Sequence, residues 1–350
     1  MAEAERSEEA TPTFKQQVAL QAATGQRVLD PEFARVLWKC TDCGAAQAAC
    51  RHRIDPGPSL RVARALAVQQ GCAPREVGWL RERFRAQGAP YSQDLRAVLH
   101  GVAPDAASRP QPGEVALWPA CSTLAHDPGE ARLALALLRR AGRGEVRAAL
   151  PDPPCCGYPL DAAGLADEFQ AHARRVAASL QGWETVVTTG AACAHTLAWR
   201  YPAVGVKPSF RTLPLVDLLA ASTGAWQDLS RDRPQGPRLA WHDPCFLGRR
   251  LRRWDEPRAA LRAATGRAPL ELPLAREDAP CSGGGGVYPL THPEPAKACA
   301  ARVLEAFRFT GADALVTGCP GAKRRLLQAE PDAPVLSLVE ALARGCGVEA

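Results

Sequence analysis

Apolar residues recur along this chain in two rhythms, and the change of rhythm divides it. From about Phe14 to Leu99 they fall three and four apart without strict alternation, which predicts helices. Beyond Gly113, short apolar runs alternate with longer helical stretches. Val115–Trp118, Val146–Leu150 and Thr185–Thr188 read as buried strands, with Leu165, Phe169, Ala173, Val176 and Leu180 at helical spacing between the second and third. Asp127-Pro128-Gly129-Glu130 opens a further helix expected to run to Gly142, with Asp127 as its cap. The order then returns. Leu239–Trp241, Leu270–Leu274 and Ala314–Thr317 read as strands, and Ala296, Ala300, Val303 and Phe307 mark a helix face. Such alternation predicts an α/β fold with parallel sheets built from right-handed βαβ units.

Proline- and glycine-rich stretches at 107–113 and 230–237 read as linkers, and the acidic residues 1–11 as a disordered tail. The expected organisation is therefore a helical domain over 12–106 and two α/β domains over 114–229 and 238–350.

The two α/β domains carry the same cysteine layout, offset by about 125 residues. In the first, Cys121 follows one strand, Cys155-Cys156-Gly157 the next, and Cys193 follows a Thr-Thr-Gly step. In the second, Cys245, Cys281 and Cys319 take these places, and Gly283 to Gly286 follow Cys281. Each motif cysteine falls just after an expected strand. Ligands collect at the carboxyl ends of strands in parallel sheets, so each copy is expected to gather its cysteines at one site.

This layout resembles the cysteine-rich CCG domain. That domain occurs in heterodisulfide reductase subunits and in the iron–sulfur subunits of glycolate oxidase and anaerobic glycerol-3-phosphate dehydrogenase. The resemblance implies cluster ligands at Cys121, Cys155, Cys156 and Cys193, with Gly190 where a fifth would stand. Four thiolates suffice for a [4Fe–4S] cluster. In the second copy it implies Cys245, Cys281 and Cys319, with Ser282 and Ala322 at the other two positions. Three thiolates would hold a [3Fe–4S] cluster or a cluster with one open iron.

Cys40, Cys43 and Cys50 are similar to half of an α-helical ferredoxin domain. Ala46 stands at the third cysteine position and Arg51 in place of the usual proline. Three readings stay open: a cluster, a zinc site formed by Cys40, Cys43, Cys50 and His52, or packed thiols without metal.

Nearby residues add narrower expectations. Gly283 and Gly284 could offer backbone N–H groups to anionic sulfur, or simply serve a tight turn. His242, just ahead of Cys245, could support the site from behind its ligands, or shape a strand-end turn with Asp243. His195 could replace a lost ligand, although a lone histidine is ordinarily structural. Arg249, Arg250, Arg252 and Arg253, with Lys323, Arg324 and Arg325, would make a basic cleft if they face one space, or else a solvated face. Cys299 reads as core, and Cys72 and Cys346 as incidental.

Composition narrows the class. Thirteen cysteines without a secretory pattern point to metal or redox chemistry in a cytoplasmic protein rather than to disulfides. No run of eighteen apolar residues suggests a transmembrane helix, which leaves a peripheral membrane complex open. A net charge of +6 is mild, and no nucleic-acid-binding module is visible. The resemblance implies an iron–sulfur electron-transfer protein working with a flavoprotein dehydrogenase or electron-transfer flavoprotein. The alternatives are a non-redox or zinc-binding scaffold that has lost cluster ligands, and a thiol–disulfide enzyme using Cys155 and Cys156.

Overall fold

The computed structural model describes residues 2–106 and 110–349. Residues 107–109 of the first expected linker lie outside the described residues, while 231–238 joins helix Thr223–Ser230 to the next strand without regular structure. Each repeat contains one four-stranded parallel sheet. The first comprises β1 (Val115–Trp118), β2 (Val146–Ala148), β3 (Thr185–Thr188) and β4 (Arg211–Pro214), in spatial order β2-β1-β3-β4. The second comprises β5 (Leu239–His242), β6 (Leu270–Glu271), β7 (Ala314–Thr317) and β8 (Val335–Ser337), in order β6-β5-β7-β8. The sheets are thus topological copies. The central strands β5 and β7 are buried throughout, as their unbroken apolar runs require.

The repeats pack reciprocally. The first long helix of one repeat lies against the helix that directly follows the last strand of the other, so Pro128–Arg140 meets Leu338–Cys346 and Asp255–Thr265 meets Leu215–Ala220. Leu338–Cys346 starts sharply because Ser337 and Glu340 form a reciprocal capping box. Asp127 does not cap Pro128–Arg140 as expected. Its carboxylate instead accepts from Lys323 Nζ at 2.7 Å, spanning the two repeats.

The N-terminal region is helical, with Pro12–Thr24, Gly57–Gln69 and Arg75–Gln87 its longest elements. The expected disordered tail is instead folded and docked. Residues Ala2–Glu5 and Glu8–Ala10 form short helices, Ala10 is buried, and Glu5 accepts from Tyr288 Oη at 2.7 Å and pairs with Lys39 at 2.9 Å. Acidic composition suggested a solvated tail, but these glutamates have basic and phenolic partners that sequence distance conceals.

Arg64 ties the helical region to the first repeat. Its buried guanidinium donates to the carbonyls of Leu37, Cys40 and Ala162. Such a cation is tolerable in the interior only because its donors are satisfied.

Candidate functional site: two groups of cysteines

In the first repeat, Cys121 begins the helix after β1, Cys155 and Cys156 lie in the loop after β2, and Cys193 sits in the first turn after β3. Parallel neighbours bring these three loops to one edge. The structure brings all four sulfurs together. Cys121 Sγ lies 3.4 Å from Cys155 Sγ, and the Cys156 thiol hydrogen-bonds with those of Cys155 and Cys193. Cys155, Cys156 and Cys193 are buried, and Cys121 is half-buried.

Protein groups hold the loops from behind. Tyr201 Oη donates to the Cys156 carbonyl at 3.0 Å. His172 Nε2 lies 2.6 Å from the Cys155 carbonyl, and burial lowers its pKa; a neutral ring facing a carbonyl donates through that nitrogen. The glycine after the cysteine pair has a steric reason. Gly157 has φ +78°, and a Cβ there would stand 2.8 Å from the His172 ring. A Cβ at Gly190 would meet Ala120 Cβ at 3.0 Å and Cys193 Sγ at 3.1 Å, so a fifth thiol there would need the site to open.

Electrostatics make this group unstable as bare thiolates. Hydrogen bonds from Cys155 and Cys193 hold Cys156 well below the ordinary thiol pKa. The neighbouring sulfurs and burial push Cys155 and Cys193 well above it. One negative charge is accommodated, and further ones repel. Such a donor set suits a positively charged, thiophilic centre with more than one metal, such as an iron–sulfur cluster, rather than bare thiolates.

In the second repeat Cys245 follows β5, Cys281 follows β6 and Cys319 caps the helix after β7. Burial pushes Cys245 up to about 12, with the charges of Cys43 and Cys319 adding to the shift. Burial likewise raises Cys319, opposed by backbone N–H groups of Ala322 and Gly321. Cys319 is also felt at Cys193, so the two groups lie within electrostatic reach of one another. Ser282 and Ala322 are both buried.

The loop 40–44 from the helical region inserts beside Cys281. The thiols of Cys43 and Cys281 hydrogen-bond to each other, and Thr41 Oγ1 lies 3.4 Å from Cys281 Sγ. A cavity of about 400 Å³ opens there, lined among others by Cys40, Cys43, Cys281 and Cys299. Cys50 does not line it; its sulfur accepts from the backbone N–H groups of Ile54 and His52, and His52 is exposed. The N-terminal set of Cys40, Cys43, Cys50 and His52 is therefore not gathered. Among the described residues, no three His, Cys, Asp or Glu side chains are placed to hold a single metal ion.

The glycine run forms a tight turn and places one backbone N–H on a sulfur. Gly283 and Gly286 have φ +77° and +62°, as a tight turn requires, and Gly283 N–H donates to Cys281 Sγ at 3.3 Å. A Cβ at Gly284 would stand 3.1 Å from Arg325 Cγ and 3.2 Å from the Gly321 carbonyl oxygen. His242 reaches no sulfur. Nδ1 lies 3.1 Å from Thr317 Oγ1 and Nε2 3.3 Å from the Pro280 carbonyl, so it positions the residue preceding Cys281. Burial lowers its pKa to about 4 and keeps it neutral. Asp243 accepts from Arg258, Trp241 and the Arg276 N–H, rather than closing a local turn.

Four of the seven basic residues are tied to partners rather than left free to line a cleft. Arg249 donates to the carbonyls of Cys43, Glu277 and Ala279, Arg250 pairs with Asp42 and Asp55, Arg253 with Asp217, and Lys323 with Asp127 and Glu340. Arg252 is exposed. Most of this run clamps chain segments together, including the helical region onto the second repeat. His195 stacks on Trp199 and meets Phe246 edge-on, and burial followed by the charge of Arg250 brings its pKa to about 4. Cys299 is buried, as expected of core, and also lines the cavity; Cys346 is buried and Cys72 half-buried.

Sequence reasoning missed Arg64, Tyr158 and the approach of Cys43 to Cys281. The glycine run was the available signal for the last, since glycines often mark where backbones come close.

Comparison with known proteins places these geometries in a family. The cysteine-rich domain (CCG) matches residues 115–198 and 239–325. One of the subunits of the fumarate reductase (CoM/CoB) from Methanothermobacter marburgensis is 27% identical over 81% of this chain and 55% of its own length. One of the subunits of the dihydromethanophenazine:CoB–CoM heterodisulfide reductase from Methanosarcina barkeri is 26% identical over 91% of this chain and 80% of its own. The EtfAB:quinone oxidoreductase of Syntrophomonas wolfei is 26% identical over 72% of this chain and 37% of its own. The chain thus spans about half of the first relative and most of the second. Among the described residues, no helix is long and apolar enough to cross a membrane. With one match in each repeat, the chain carries two copies of the cysteine-rich CCG domain.

Proposed function

We propose that this protein is an iron–sulfur electron carrier that serves a partner oxidoreductase. The observation that carries the reading is the convergence of Cys121, Cys155, Cys156 and Cys193 from three separate strand-end loops onto one continuous group of sulfurs. Sulfur donors of this number suit a [4Fe–4S] cluster, which supplies one-electron chemistry when bound. The protein's part is to hold the sulfurs and govern their surroundings. His172 and Tyr201 fix the carbonyls of Cys155 and Cys156. The burial of three of the four cysteines limits access of water. The half-buried Cys121 marks the open side, where an electron could pass to or from a partner.

Cys245, Cys281 and Cys319 would form a second centre. Its position within electrostatic reach of Cys193 supports transfer between the two centres inside one chain. The partner best supported is a flavin-dependent dehydrogenase or an electron-transfer flavoprotein. One relative is named for electron transfer from EtfAB to quinone, and others are subunits of multisubunit reductases.

Iron, acid-labile sulfide and zinc per chain, measured on protein purified and reconstituted without oxygen, test the reading. About four iron and four sulfide per filled centre, with a spectrum bleached by dithionite, are expected. Zinc alone, or no metal after reconstitution, would instead identify the motifs as inherited scaffold.

A further inference from the structure

We infer that Cys43, carried by the N-terminal helical region, is the fourth sulfur ligand of the second centre, alongside Cys245, Cys281 and Cys319. This inference rests on the electron-carrier reading and specifies how its second site is completed. The second repeat has Ser282 and Ala322 where its family pattern would have two more cysteines, and both positions are buried. Its own motif sulfurs number three. The structure brings one thiol from outside into hydrogen-bonding contact with Cys281, and that thiol is Cys43.

The approach is built rather than incidental. Thr41 contacts the Cys281 sulfur directly. Arg249 Nε donates to the Cys43 carbonyl at 2.7 Å, while its Nη1 donates to the carbonyls of Glu277 and Ala279 just before Cys281. One guanidinium thus fixes both ligand loops. Its buried Nη2 has no partner within the protein, and its charge is felt at both Cys43 and Cys245, as suits a donor beside an anionic occupant. Arg250 secures the same loop through the carboxylate and carbonyl of Asp42.

The glycine run supplies the space. A Cβ at Gly285 would lie 2.1 Å from the Thr41 carbonyl oxygen, and one at Gly286 would lie 3.0 Å from that of Cys40. Loop 40–44 can seat beside Cys281 only because these positions lack side chains. Gly285, which needs no left-handed backbone, is reserved for that approach. The N-terminal region then acts as a structural part of the second centre.

Three variants test this on the full chain, with circular dichroism as the check on folding. Cys43→Ala is expected to lower iron and sulfide to about half of wild type while leaving the first centre's signal intact. A three-iron signal in the oxidised protein, absent from wild type, would equally mark the loss of one ligand. Gly285→Ala removes no thiol but displaces Thr41, and should reduce the same signal. Cys50→Ala should change nothing. Full iron with an unchanged spectrum in Cys43→Ala would overturn the inference. So would equal iron loss in Cys50→Ala, which would assign Cys43 to a separate N-terminal centre. A second readout needs no iron. Metal-free protein treated with diamide, which takes up the two electrons and two protons of a thiol pair, should yield a disulfide-linked Cys43–Cys281 peptide by mass spectrometry. If wild type binds no iron, the electron-carrier reading falls and the ligand role with it. If wild type binds iron but the cross-link pairs neither Cys43 with Cys281 nor Cys43 with Cys245, only the ligand assignment falls.

Discussion

The first repeat completes its cysteine group from its own three loops, whereas the second meets an outside loop and carries a buried arginine beside it. At the first group, the shifts on the thiols come chiefly from burial and from one another, and hydrogen bonds from His172 and Tyr201 reach only backbone carbonyls. At the second, Arg249 stands beside Cys43 and Cys245 and binds the carbonyls of both adjoining loops. Two copies of one topology have thus diverged in how they manage buried sulfur charge. The first shares charge among thiols. The second adds a fixed cation and recruits a neighbour. A duplicated scaffold need not keep both ligand sets, provided an adjoining segment fits the space that a lost side chain leaves.

The largest effect should come from removing a central sulfur on either side. Cys155→Ala is expected to abolish the first centre and Cys281→Ala the second, each leaving about half of the iron. Iron and sulfide analysis of the two variants checks this directly. Because Cys319 is felt at Cys193, one alternative is sharp: if either variant lost all iron, the two groups would form a single shared centre.

Arg249 offers the next test. Arg249→Ala leaves the carbonyls of Cys43, Glu277 and Ala279 without their donor. Hydrogen bonds from a charged donor at a buried position are expected to make this loss cost about 3 kcal/mol in urea unfolding. Arg249→Lys keeps the charge but lacks the planar fork, so it should recover only part. A loss below about 1 kcal/mol would show that the loop seats without the clamp.

The interface between the repeats contains a titrating group that separates their packing from their sulfur chemistry. Burial raises Glu130 from an ordinary value of 4.5 to about 8, opposed by Lys323 and reinforced by Asp127 and Glu340. A carboxyl raised in the folded state contributes its stability below about pH 4.5 and loses it as pH climbs toward 8. Wild type should therefore lose about 1 kcal/mol of stability per pH unit between about 5 and 7 from this group. Glu130→Gln, which cannot ionise, should flatten that slope. Unfolding midpoints of the two proteins at several pH values decide it, and parallel curves would mean that Glu130 ionises without strain.

How much of this was readable in the chain follows from the range of each interaction. Five of the six strands that precede a motif cysteine were legible as apolar runs beside a turn, while the expected strand Leu270–Leu274 keeps only the exposed pair Leu270–Glu271. β4 and β8 were not: Arg211–Pro214 ends in proline, and Val335–Ser337 passes at once into a helix, so both merge with their neighbours in sequence. The sulfur gathering of the first repeat was legible for a topological reason, since parallel strands send their ends to one edge. The contact of Cys43 with Cys281 was not, because it joins residues more than two hundred apart through Arg249 and a glycine turn. Arg249 itself read as one of a basic run. Nothing in that run distinguishes Arg249, with three carbonyl partners, from the exposed Arg252.

The smallest predicted effect tests whether the second group depends on the first repeat at all. Tyr158 lies just past the Cys155-Cys156-Gly157 turn, yet its hydroxyl accepts from the Gly286 N–H of the other repeat at 2.9 Å. Its ring meets Phe246, next to Cys245, edge-on at 5.1 Å. Tyr158→Phe keeps the ring contact and removes only the acceptor, leaving one half-buried amide unpaired. A cost of about 1 kcal/mol in urea unfolding, with iron unchanged, is expected if the glycine turn is held mainly by its own backbone and by loop 40–44. If the variant instead lost iron from the second centre alone, one hydroxyl of the first repeat would be fixing the geometry of the second. The asymmetry between the two groups would then extend to their supports: one centre would stand by itself, and the other would draw on both its neighbours.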